Sequence, residues 1–133
     1  MNKIDKMDYD LAGRVIGSAM KVHTGLGPGF LESVYQNALA YELRRAGLEF
    51  ETEVRLKVKY EDIIVGEFDA DMLIEKSLLI ENKAVLSIAI AHEVQLVNYL
   101  TATGLDEGLL LNFGAARLEF KKKFRQHRPA SGS

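Results

Sequence analysis

Two apolar runs separated by a three-residue polar break constrain this chain more than any other feature. Glu67–Glu75 and Leu78–Lys83 are rich in strand-forming residues, and Glu75-Lys76-Ser77 is short and polar enough to reverse the chain between them. An antiparallel β-hairpin is the reading. If Ile74 pairs with Leu78, then Met72 faces Ile80 and Leu73 faces Leu79, so apolar residues oppose one another along the ladder. The same register sets Asp71 opposite Glu81 and Asp69 opposite Lys83. Opposed residues point to one face with Cβ atoms roughly 4.5–5.5 Å apart, close enough for the Asp71 and Glu81 carboxylates to share one cation. Period two adds Lys83 to that face and sends Asn82 to the other. A slip of one residue would set Asp71 against Asn82 and disperse the cluster. The plainer alternative is a set of charges on the solvated face of an ordinary hairpin.

A chain of 133 residues, 47% of them apolar, suits one domain with a real core. The expectation is a single domain over residues 1–128, with Pro129–Ser133 as a disordered tail. The absence of cysteine excludes disulfides, thiolate metal sites and cysteine nucleophiles, and fits a reducing cytoplasm. No segment approaches the roughly 18 apolar residues that span a bilayer, so no membrane partner is expected and the chain reads as cytoplasmic. Net charge is −2, but Arg117–Arg128 is locally basic. That stretch either approaches phosphates or guards a sheet edge with lysines.

Along the chain, Leu11, Val15, Ile16, Ala19 and Val22 have helical spacing, which Gly25-Leu26-Gly27-Pro28-Gly29 breaks. The period resumes from Phe30 to Ala46 through Leu31, Val34, Leu39 and Leu43, with Gly47 as the stop. The glycine-rich elbow lacks the Lys-Ser/Thr ending of a phosphate-binding loop and reads as a tight turn. Phe50–Tyr60 and Ile63–Gly66 read as strands leading into the hairpin, His92–Thr103 as a helix ending at Gly104, Gly108–Phe113 as a strand covered on both faces, and Arg117–Phe124 as a more exposed one. The helix between Lys83 and Gly108 would return the chain parallel to Leu78–Lys83. The fold class is α/β, a mixed sheet with helices packed on it.

His92, Gln95 and Tyr99 share one stripe of their helix, and Glu32 and Tyr35 are neighbours on another. Each has an ordinary use, Glu32 as a first-turn acid against the helix dipole and the tyrosines as packing residues. Taken together, the residues resemble a known family. Gly29-Phe30-Leu31-Glu32-Ser33-Val34-Tyr35 matches the motif that names the GxxExxY proteins. Ala70-Asp71, Glu81-Asn82-Lys83-Ala84, the run from His92 to Leu100, and Leu111-Asn112-Phe113-Gly114 resemble its further blocks in order. That family is placed in the PD-(D/E)XK nuclease superfamily.

The resemblance implies a restriction-endonuclease-like αβββαβ sandwich. It implies Asp71 and Glu81 as metal-binding carboxylates, Lys83 as the signature lysine, Glu32 as the acid of the first core helix, and Gln95 with Tyr99 as the Q-x-x-x-Y pair beside the active site. Two positions depart from the family's pattern: Asn82 replaces an apolar residue, and Asp69 replaces a basic one, where it either adds a ligand or pairs with Lys83. The implied activity is hydrolysis of nucleic-acid phosphodiesters, DNA rather than RNA, with Mg²⁺ or Mn²⁺. The alternative is a non-catalytic nucleic-acid-binding or protein-interaction module on the same fold, since an acidic, short chain has little surface for gripping duplex DNA. A homodimer presenting two basic edges would relieve that shortage.

Overall fold

The computed structural model describes residues 10–126; the expected tail at Pro129–Ser133 lies outside them. Eight elements follow one another: α1 (Leu11–Leu26), α2 (Glu32–Arg45), β1 (Phe50–Tyr60), β2 (Ile63–Ile74), β3 (Leu78–Lys83), α3 (Ile90–Thr103), β4 (Glu107–Asn112) and β5 (Glu119–Phe124). The strands form one sheet in the order β1-β2-β3-β4-β5. All neighbours are antiparallel except β3 and β4, which α3 connects as a parallel crossover, as its position between two apolar strands requires. This is the expected α/β sandwich with a mixed central sheet.

Helix α1 begins where the Asp10 side chain accepts a hydrogen bond from the Gly13 N–H at 3.1 Å. Its buried stripe, Ala12, Val15, Ala19 and Val22, keeps the helical period. On α2 the buried stripe is Tyr35, Leu39 and Leu43, which corrects the expected one. The helix starts at Glu32, two residues later than the apolar spacing predicts, and leaves Leu31 77% exposed; Tyr35, spaced by four from Leu39 and Leu43, leads the buried face in place of Val34. Both helices pack on one face of the sheet, over Met72, Ile74, Leu78, Ile80, Leu109, Leu111 and Phe113. Leu96 and Leu100 of α3 cover the other face, over Ala70, Leu79 and Leu110. Strand β4 is buried on both sides, which explains its unbroken apolar run. Helix α3 stops at Gly104, whose φ of 77° is a left-handed conformation that glycine adopts without steric cost.

The predicted hairpin register is present: Ile74 pairs with Leu78, Leu73 with Leu79 and Met72 with Ile80. There the β2–β3 ladder ends. Strand β2 is one continuous element rather than the two predicted, and from Ile63 to Asp71 its only partner is β1. Residues Phe68 and Ala70 pack with α3, whereas Met72 and Ile74 pack with α1 and α2. Residues of one parity share a face in a regular strand, so the pleat breaks at Asp71. The break extends to β1. Thr52 pairs with Met72 and Val54 with Ala70, while Glu53, opposite Asp71, is unpaired and has a φ of 52°. Left-handed backbone at a glutamate inside a strand is strained by about 1–2 kcal/mol.

Candidate active site

The opening of the sheet creates the site. Asp71 sits at the last position before β2 parts from β3, and its carboxylate accepts a hydrogen bond from the Asn82 N–H at 2.7 Å. A charged acceptor is stronger than a neutral carbonyl, so this bond holds the strands together where the ladder stops. Glu81, the residue before Asn82, is brought beside Asp71, as the register predicts. Burial pushes the Glu81 carboxyl up to about 8, and the neighbouring Asp71 charge adds to the effect. Burial raises Asp71 as well, against the Asn82 hydrogen bond, which lowers it. Burial and the proximity of the two carboxyls disfavour ionisation of both at once, while the Lys83 charge favours the ionised form of each. Glu81 Oε1 is buried without a hydrogen-bond partner.

The Asn82 side chain points to the opposite face, as expected, and its Nδ2 donates to Gln36 Oε1 at 3.5 Å. Gln36 in turn donates to Glu53 at 2.9 Å. Tyr99 lies flat on Phe68, with ring centroids 3.6 Å apart. Burial and the Glu81 charge raise its phenol, while a hydrogen bond from Gln95 lowers it. The Gln95–Tyr99 pair therefore stands within electrostatic reach of Glu81. His92, the third member of that stripe, caps its own helix: Nδ1 accepts from the Ala89 N–H at 3.0 Å.

Two expectations are revised. Asp69 does not meet Lys83. It faces Arg55 across the β1–β2 ladder and pairs with it, and Arg55 also binds Glu67 at 3.1 Å. The Arg55 guanidinium holds the Asp69 carboxyl below its ordinary value. The reason is the parting of β2 from β3, which removes the position opposite Asp69. Glu32 is exposed at the start of α2 and adds to the negative field at Glu81, but no group of three or more His, Cys, Asp or Glu side chains among the described residues is arranged to hold a metal ion. The carboxylates brought together are two, Asp71 and Glu81. Two hard oxygen donors and an unpartnered buried oxygen suit Mg²⁺ or Mn²⁺, ions that complete their shells with water and substrate phosphate.

Tyr35 is not at the site at all. Fully buried, it stacks on Phe113 at 4.8 Å, donates to Gly27 O at 2.6 Å and accepts from the Phe30 N–H, which fixes the glycine-rich elbow. Residues outside the predicted set hold the far end of β3. Asn112 Oδ1 accepts from the Val85 and Gly114 N–H groups, and Asn112 Nδ2 donates to Glu119, which also accepts from the Ile88 N–H. A Cβ at Gly114 would lie 2.4 Å from Val85 O. The segment following Lys83 is thus clamped against the end of β4. The Leu111-Asn112-Phe113-Gly114 run carried this signal, a buried polar residue and a glycine closing an apolar strand.

A profile of the PD-(D/E)XK nuclease superfamily matches residues 9–124. The chain belongs to that superfamily. A solved crystal structure, that of SSO0001, superposes with a TM-score of 0.59 at 21% identity, covering 73% of this chain and 52% of its own. The likeness is one of fold, and this chain spans about half the length of that protein. No curated protein matches the chain. Among the described residues, no helix is long and apolar enough to cross a membrane.

Proposed function

We propose that this chain is a metal-dependent nuclease of the GxxExxY branch, acting in the cytoplasm on nucleic acid, DNA in preference to RNA, with Mg²⁺ or Mn²⁺. The observation that carries the reading is the half-buried Glu81, whose buried Oε1 is unpartnered, paired with Asp71 beside Lys83 at the point where the sheet opens. Asp71 and Glu81 would hold the cation, with Glu32 as an outer carboxylate. The bound cation would supply Lewis-acid polarisation of the phosphate and acidification of a water.

The chain's own groups supply the rest. Two carboxyls held together and partly desolvated resist ionising side by side, and a cation between them would offset that repulsion. Lys83 orients the attacking water or offsets the charge that builds on the phosphoryl oxygens. Tyr99, immobilised on Phe68 and bonded to Gln95, positions the phosphate or the lysine. The clamp of Asn112 and Glu119 fixes the chain immediately after Lys83, so the lysine's backbone does not drift. Cleavage of supercoiled plasmid and single-stranded DNA with Mn²⁺ tests this directly. Wild type should cut, chelator should stop it, and Glu81→Ala and Lys83→Ala should lose at least a hundredfold in rate while remaining folded. Salt-dependent DNA binding with no cutting and no Mn²⁺-induced rise in Tm would replace it with the non-catalytic binding module.

A further inference from the structure

Where β2 parts from β3, one side chain of α2 reaches both strands that flank β2. Gln36 is half-buried on α2, one turn after Glu32, so the two share a stripe of the helix. Its Nε2 donates to Glu53 Oε1 on β1 at 2.9 Å, and its Oε1 accepts from Asn82 Nδ2 on β3 at 3.5 Å. Strands β1 and β3 are the two neighbours of β2 in the sheet. Among the described residues no other side chain hydrogen-bonds to both.

Each partner is tied to Asp71. Asn82 carries the backbone N–H that the Asp71 carboxylate accepts, while its own side chain is 1% exposed with Oδ1 unpartnered. The bond to Gln36 is the one its buried carboxamide makes. Glu53 stands opposite Asp71 without a ladder partner, exposed and in the left-handed conformation already described. A free surface glutamate populates many rotamers, and fixing one costs entropy. The bond from Gln36 offsets that cost and keeps the Glu53 charge within reach of Asp71, whose carboxyl that charge raises. A carboxamide suits both partners. Glu53 offers only acceptors and Asn82 Nδ2 only a donor, so residue 36 must donate and accept; a carboxylate lacks the donor and an ammonium the acceptor.

We infer that Gln36 is a positioning residue for the Asp71–Glu81 pair: its carboxamide ties β1 to β3 over the seam and holds the Glu53 carboxylate on the Asp71 side as an outer negative charge for a divalent cation. The tether stands on the geometry alone, whereas its use for a cation rests on the metal-dependent reading of the site. Glu53 acts here through its field rather than as a ligand, in the way that groups outside a coordination shell tune affinity for the ion within it.

Three variants of the full chain test it, with Mn²⁺ binding followed by electron paramagnetic resonance of the free ion. Gln36→Met keeps the side chain's length and removes both bonds. It should lower Tm by stranding the Asn82 carboxamide and weaken Mn²⁺ binding by about tenfold or more. Adding Asn82→Leu removes the stranded group, and should restore Tm while Mn²⁺ binding stays weak. Glu53→Gln keeps an acceptor for Gln36 but removes the charge, and should weaken Mn²⁺ binding to a similar extent at unchanged Tm. In the metal-free protein, ¹³C relaxation at Glu53 Cγ should report an ordered side chain in wild type and a mobile one in both Gln36→Met variants. Mn²⁺ affinity that recovers together with Tm in the double variant would reduce Gln36 to a packing residue and overturn the inference. So would a Glu53 side chain as mobile in wild type as in the variants, or full Mn²⁺ affinity in Glu53→Gln. An ordered Glu53 in a wild type that binds no Mn²⁺ would instead remove the metal-dependent reading and leave the tether in place.

Discussion

The two ends of the β1–β2 ribbon have similar strand sequences and opposite surroundings. From Met72 to Ile74 the strand is paired on both sides, and Met72 and Ile74 are fully buried. From Ile63 to Gly66 it has one partner and exposed side chains throughout. Asp71 and Glu53 stand at the boundary, where the pleat breaks. The difference is one of burial: the base is built into the core, the arm is exposed, and the paired carboxylates Asp71 and Glu81 occupy the seam where a sheet edge begins inside the fold.

The largest expected contrast is in stability. Leu79→Ala, on β3 beside the base, should cost about 2–5 kcal/mol because it leaves a cavity, while Ile64→Ala in the arm should stay within about 0.5 kcal/mol. Urea denaturation of both variants checks this, and equal losses would erase the division. Next comes the clamp beyond the seam. Asn112→Ala strands the Val85 and Gly114 N–H groups, which should cost about 1–3 kcal/mol and reduce the Mn²⁺-induced rise in Tm by letting the chain after Lys83 move.

At the seam itself the effect depends on pH. A carboxyl raised from 4.5 to about 8 by burial favours the folded state only while it holds its proton. The Glu81 contribution is therefore complete below pH 4.5 and lost as pH rises through about 8. Stability of the metal-free protein should fall over that window, and Mn²⁺ should bind more tightly at its upper end, where the proton no longer competes. Glu81→Gln should flatten much of the fall, be more stable than wild type at pH 8 and bind Mn²⁺ weakly; thermal melts from pH 5 to 9 read all three. The smallest effect belongs to Glu53→Gly. Relief of the left-handed backbone should stabilise by at most about 1 kcal/mol, since glycine also loosens the unfolded chain. The loss of the Gln36 hydrogen bond makes the gain smaller still.

Much of this arrangement was legible in the residues. The hairpin register follows from matching apolar positions around Glu75-Lys76-Ser77, and it carries Asp71 to the end of the ladder, where the Asn82 N–H holds its carboxylate beside Glu81. The parallel return of β4 follows from a helix lying between two apolar strands. The glycines at 25–29, 47 and 104 mark where helices end. These features depend on neighbours along the chain or directly across one turn, which is what periodicity encodes.

Tyr35, Asp69 and Glu53 were decided otherwise. Tyr35 belongs to the core because it shares the i, i+4, i+8 stripe of Leu39 and Leu43, and the packing of α2 on the sheet stacks it on Phe113. Asp69 finds Arg55 because β2 has by then left β3, a parting that no alternation of residues announces. The strained turn of Glu53 lies opposite Asp71, and the Glu81 carboxyl is pushed up because the assembled domain partly desolvates it beside Asp71. Sequence by itself determined the elements, their order and the pairing nearest the turn, all set by local propensity and apolar spacing. Tertiary structure decided where the sheet opens and how the carboxylates ionise, because pleat breaks and desolvation arise from packing among segments that are distant along the chain.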